Sequence, residues 1–135
     1  MLKLLMKLFT YRIETSKPIL AVSEAFEGVC AAHGFALLHH YVYHEVVANK
    51  GFPIERKVYV YEVCQAKVAS MLLENQPAFA PFMPCRVALY EAKGQTVIAT
   101  QNMALMLFAL KKNRPLYRET TALFKTLKSM MQSLL

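Results

Sequence analysis

The sequence contains no aspartate; its nine acidic residues are all glutamate. That absence removes aspartate-based triads, aspartyl nucleophiles and Asp-rich calcium or magnesium sites from consideration. Glycine is scarce, with four residues scattered at positions 28, 34, 51 and 94, so no loop is built to cradle phosphate. No serine sits in a nucleophile elbow, and no spacing of glutamates nominates a catalytic pair. No stretch approaches the ~20 apolar residues of a membrane-spanning helix. The longest run, Met103–Leu110, reads as a buried helix segment. The opening MLKLLMKLFT resembles a secretion signal, but Lys7 interrupts its apolar run and no small-residue cleavage site follows. Three cysteines, odd in number and far apart, do not form a disulfide framework, and a reducing cytoplasm is the expected location.

What is present is apolar: 56% of the 135 residues are hydrophobic, which defines a single globular domain spanning 1–135. A chain this long buries roughly two-thirds of its unfolded surface. Sixteen Lys and Arg against nine Glu leave a net charge of +7. On its own this is weak support for nucleic acid or an anionic membrane as partner.

Period-2 alternation predicts a first strand over Phe9–Thr15. Pro18 then opens a helix carrying Val22, Phe26 and Val29 inward and Glu24 and Glu27 outward, stopped by Gly34. Cys30, on the Phe26 side, reads as a core residue. Phe35–Val47 is expected to be the second strand and Ala48–Arg56 a loop. Lys57–Cys64 is the third strand, followed by a short helix over Gln65–Glu74 with Val68, Ala69 and Leu72 inward. Three prolines in Asn75–Pro84 argue against regular structure there. Arg86–Glu91 and Gln95–Gln101 form a hairpin around Ala92-Lys93-Gly94. Asn102 is the expected N-cap of a final helical segment, broken near Asn113–Pro115.

This order gives an α+β two-layer sandwich, β-α-β(2)-(short α)-β(2)-α, with the last four strands as an antiparallel meander and helices on one face. The other face is left for water or a partner. Tyr41, Tyr43, Tyr59, Tyr61 and Tyr90 are many aromatics for such strands, and an apolar open face marks an interface, so a homodimer is expected.

Between Lys57 and Gln101 the chain resembles the domain of unknown function family 302 (DUF302). The likeness is carried by Tyr61-Glu62-Val63-Cys64, by Ala66 with Leu72-Leu73, by Phe82-Met83-Pro84-Cys85-Arg86-Val87, and by Tyr90-Glu91 and Gly94. Upstream, the strand and helix ending in Gly34-Phe35 also match, so the resemblance covers about residues 9–103. The C-terminal amphipathic segment 103–135 lies beyond that core. The resemblance implies a sandwich like a TATA-binding-protein repeat, often paired as a dimer, and it implies no established activity. Gln65-Ala66 stands where many members have Asn-Pro, and Asn102-Met103 where a Pro commonly follows the last strand.

Two places attract chemistry. Cys64 ends one strand and Cys85 begins the next, so their thiols can share a sheet edge, with Glu62, Arg86 or a helix start at Gln65 to tune them. The competing reading is two packing residues at strand ends. In the second place, Lys111, Arg114, Arg118, Lys125 and Lys128 fall on one stripe of the last helix, opposite Leu116, Leu123, Leu127, Met130 and Leu134. His40 and His44, four apart on a strand, are ~13 Å apart, too far to share a metal; no metal or cofactor is assigned.

The resulting expectation is a cytoplasmic module, non-catalytic or weakly catalytic, that dimerises and binds a small ligand or protein partner. One alternative is a thiol protein using Cys64 and Cys85 for redox, sulfur carriage or soft-metal binding. The other is a basic docking protein acting through its last helix. Little supports nucleic acid, because only Tyr117 and Phe124 interleave with the basic residues, and a membrane surface is likewise not favoured.

Overall fold

A computed structural model describes residues 1–135. In chain order its elements are α1 (Leu2–Phe9), β1 (Thr10–Thr15), α2 (Ile19–Ala32), β2 (Ala36–Val42), α3 (Tyr43–Asn49) and β3 (Val58–Cys64). They continue with α4 (Ala66–Asn75), a 3-10 helix (Pro77–Phe82), β4 (Cys85–Ala92), β5 (Gln95–Gln101), α5 (Ala104–Ala109) and α6 (Arg114–Gln132). The strands form one antiparallel sheet in the order β1-β5-β4-β3-β2. This is the α+β arrangement read from the sequence, with β2 to β5 as a meander and β1 added beside β5.

Register assigns each side chain to a face. Val63 lies opposite Cys85, Tyr61 opposite Val87 and Tyr59 opposite Leu89; Val87 and Leu89 in turn face Thr100 and Ile98. This set points to the helices. Val63, Val87, Leu89 and Ile98 are fully buried there beneath Val22, Phe26 and Cys30 of α2, Val68 and Leu72 of α4, and the apolar stripe of α6. Leu116, Leu123, Leu127, Met130 and Leu134, the stripe expected from periodicity, are all buried. The Phe26 ring stacks on Tyr61 with centroids 3.8 Å apart, and the Tyr61 hydroxyl shares a 2.8 Å hydrogen bond with Ser23. Burial pushes the Tyr61 hydroxyl pKa up, partly countered by Ser23.

The same register corrects the aromatic argument for an interface. Tyr59 and Tyr61 face the helices and are buried, and Tyr43 is in α3, leaving Tyr41 and Tyr90 on the uncovered face. The strand expected over Phe35–Val47 ends at Val42. Beyond it α3 turns along β3, where His44 Nδ1 accepts the Val58 N–H at 3.0 Å. His44 is therefore helical rather than in line with His40. Asn75–Pro84 is also more ordered than its prolines suggested. Pro77 starts the 3-10 helix where a missing N–H costs nothing, and Phe79 and Met83 donate to the Gln76 and Ala80 carbonyls. The hairpin turn is two residues, since Ala92 pairs with Gln95; Lys93 (φ 52°) and Gly94 (φ 74°) take the positive φ that such a turn requires.

The break near Asn113–Pro115 separates α5 from α6. Asn113 caps α6 by accepting the Leu116 N–H, and Lys111 lies in the turn before it, so the five-residue basic stripe is not carried on one helix. Asn102 accepts the Ala104 N–H at the start of α5, although Met103 occupies the cap position itself.

Truncating Phe26 to alanine removes the ring that Tyr61 stacks on and is expected to lower unfolding free energy in urea by about 3–5 kcal/mol. Ser23→Ala is expected to lose only about 1 kcal/mol. Equal losses for the two variants would show that the aromatic stack is not the larger contribution.

Candidate functional site

The sheet's end at Cys64 and Cys85 is where the two layers part. β3 stops at Cys64 and α4 begins at Ala66, and the 3-10 helix leads back into β4 at Cys85. Between these elements and α5 and α6 lies a cleft of about 450 Å³ counting its open mouth. Fifteen residues line it, twelve of them hydrophobic and none charged. α4 contributes Val68, Ala69 and Leu72, and the 3-10 segment Phe79 and Phe82. Met83, Met103 and Met106 add thioethers.

Cys64 and Cys85, the thiols singled out from the sequence, both line this cleft. Their residues flank it differently: Cys85 is paired with Val63 on the helix side, whereas Cys64 is one alternation further along β3. Burial pushes the Cys85 thiol up to about 11, and the neighbouring Cys64 adds to the rise. The nearby Arg86 charge lowers it, but less. Cys85 is therefore a neutral thiol at physiological pH, without the thiolate that nucleophilic attack requires.

Glu62 and Arg86, expected to tune the thiols, also meet each other. Arg86 Nε lies 3.3 Å from Glu62 Oε2, and the Tyr41 hydroxyl donates to Glu62 Oε1 at 3.2 Å. Both alternate to the uncovered face. Arg86 also borders a smaller recess of about 250 Å³ beside Cys85, with Thr100 and Gln101.

Of the basic candidates, Arg114, Arg118 and Lys125 are exposed along α6. Lys128 Nζ lies over the rings of Phe124 (4.7 Å) and Tyr11 (5.6 Å), and Lys111 Nζ over Phe108 (5.4 Å), so two of the five are engaged locally. Lys67 pairs with Glu119 at 3.4 Å.

Sequence reading missed Thr120. Its side chain lines the cleft and is buried, and its Oγ1 has no hydrogen-bond partner. The signal was available: Thr120 sits between Leu116 and Leu123 on the apolar stripe, and a hydroxyl there faces the core. A buried hydroxyl left unpaired costs about 1–3 kcal/mol.

An antiparallel sheet covered on one face, with an apolar cleft where the sheet and helices separate, defines this chain as a two-layer α+β sandwich with one candidate binding site. The family described as domain of unknown function DUF302 matches residues 11–134, and the chain belongs to that family. A crystal structure of an uncharacterized conserved DUF302 protein from Bacillus stearothermophilus has the same fold, with a TM-score of 0.78 at 22% sequence identity. That match covers 92% of this chain and 96% of the other. No functionally curated protein matches the sequence.

The Cys85 shift fixes a direction of pH dependence. The folded state holds the Cys85 proton more tightly than the unfolded chain, whose thiol titrates near 9. Stability from this group is fully present below pH 9 and is lost as pH rises through about 11, an effect of about 3 kcal/mol. Urea denaturation of wild type is expected to show this alkaline loss, and Cys85→Ala to flatten it. Identical alkaline slopes in the two proteins would refute the assignment.

Proposed function

We propose that this chain is a binding module for a small, mostly apolar, uncharged ligand held in the cleft, with the Thr120 hydroxyl as its polar contact. The observation that carries this reading is the unpaired Thr120 Oγ1 in the wall of an otherwise hydrocarbon- and sulfur-lined cleft. A ligand hydroxyl or carbonyl completes that hydrogen bond, and the surrounding Val68, Leu72, Phe79 and Leu123 take the apolar body. Charge is disfavoured because no ionised side chain lines the cleft to balance it. No acid or base lines it either, and Cys85 is a neutral thiol, which supports binding rather than turnover. The thiol alternative thus narrows to a site in which Cys64 and Cys85 act as soft donors or packing groups.

Phenol, an apolar ring with one hydroxyl, is a suitable probe. Its addition is expected to shift the backbone amides of Ala69, Cys85 and Thr120 in 1H–15N spectra, and Ala69→Leu, which fills the cleft, to abolish those shifts. Thr120→Val is expected to stabilise the free protein by about 1 kcal/mol, because it removes an unsatisfied hydroxyl. The same variant should erase any preference for phenol over benzene. Shifts that persist in Ala69→Leu, or no shifts in wild type, would sink the reading.

A homodimer through the uncovered sheet face is the second reading. Val58, Val60, Ala88, Tyr90 and Ala99 lie there half-buried with no layer above them, between the Arg12–Glu14 and Glu62–Arg86 pairs. Light scattering after size exclusion is expected to give twice the chain mass at micromolar concentration, and Ala88→Arg to halve it. A monomer throughout that range overturns this reading.

A further inference from the structure

The helix α1 belongs neither to the sheet nor to the core. None of its residues is buried, and residues 1–10 lie outside the region matched by the family. It is nonetheless held in place. The Asn102 side chain donates to the Leu8 carbonyl (3.1 Å), its backbone N–H donates to the Phe9 carbonyl (2.7 Å), and the Thr10 hydroxyl bonds the Met6 carbonyl. The same Asn102 side chain accepts the Ala104 N–H at the start of α5. One residue therefore ties α1 and α5 to a common corner of the sheet.

That corner is apolar and cationic together. Leu2, Leu4, Leu8 and Phe9 of α1 and Leu105 and Phe108 of α5 are each more than half exposed. On the α1 wheel Lys3 and Lys7 are four apart and share one side, while Leu4, Leu5, Leu8 and Phe9 occupy the other. Lys111, Lys112 and Arg114 follow α5, and the stretches 1–13 and 92–118 contain no carboxylate at all. Exposed leucines beside an unopposed row of cations do not suit a second copy of the same patch, because self-association would bring the like charges together. They do suit a surface that is anionic outside and hydrocarbon beneath.

We propose that α1 and the α5 corner form a peripheral docking site for an anionic lipid bilayer surface. The apolar side chains insert at the headgroup–acyl boundary, and Lys3, Lys7, Lys111, Lys112 and Arg114 lie at the phosphate level. No helix is long and apolar enough to cross a membrane, so the association is interfacial. The earlier expectation against a membrane surface rested on the last helix, whose apolar stripe is buried; α1 presents one that is not. This site is independent of the ligand cleft.

The test is co-sedimentation of the full chain with phosphatidylcholine vesicles, with and without phosphatidylglycerol. Binding is expected only with phosphatidylglycerol, weakening as salt rises. Each cation removed, as in Lys3→Gln or Lys7→Gln, is expected to weaken it about fivefold. Leu4→Glu with Leu8→Glu is expected to abolish it while leaving the melting temperature unchanged, since neither side chain is buried. Should that variant fail to fold, Leu105→Glu with Phe108→Glu asks the same question from α5. No binding to phosphatidylglycerol vesicles, or binding that survives both double variants, overturns the proposal. So does a loss of oligomeric state in those variants without any vesicle binding by wild type, which would make a second copy the partner.

Discussion

Tyr61 faces the helices and Glu62 faces away, and much of the molecule follows from that alternation. β3 lies between the edge strand β2 and the central strand β4, and its inward residues Tyr59, Tyr61 and Val63 meet α2 and the inward residues of β4. Its outward residues Val60 and Glu62 lie beneath no helix, and Glu62 meets Arg86 and Tyr41 there. A slip of one residue would bring Glu62 into contact with Phe26 and expose Tyr61. Burying an ionised carboxylate against that ring without a partner is prohibitive. The Phe26–Tyr61 stack and the Glu62–Arg86 pair thus enforce the same register from opposite sides.

The cleft results from the same construction at its limit. Where β3 and β4 end, the helices no longer have sheet to pack against. Phe79, Phe82 and the methionines close the space only in part. Thr120 marks the gap: a helix residue at a core position with no strand residue or helix carbonyl completing its hydroxyl. Cys85 lies at the same boundary, near enough to hydrocarbon that its proton is held well above the ordinary thiol range.

Most of the sheet was legible in the sequence because its strands alternate cleanly and its turns carry Gly or Pro at positions that demand them, as at Gly34 and Gly94. The elements that escaped are short and owe their form to tertiary contacts. α3 depends on His44 reaching the Val58 amide, a contact across fourteen residues that periodicity does not register. The 3-10 helix was hidden by its own prolines. Cys64 and Cys85 were legible as neighbours at one end of the sheet; the raised Cys85 pKa was not, because it comes from burial that outweighs the Arg86 charge. Thr120 was passed over because a single hydroxyl does not disturb an apolar stripe, although its burial decides the polarity of the cleft.

β1 is bonded to β5 alone, with Tyr11 opposite Thr100, whereas every other pair of neighbouring strands is consecutive along the chain. Closing that ladder spans residues 16–94, the longest connection between paired strands, so it carries the largest loop-closure entropy in the sheet. β1 and the helix ahead of it are therefore the last part to arrive during folding and the first to peel away under stress. When they leave, the β5 edge is bared, and Val97 and Ile98, sealed in the intact sheet, become the apolar centre of a newly unpaired strand.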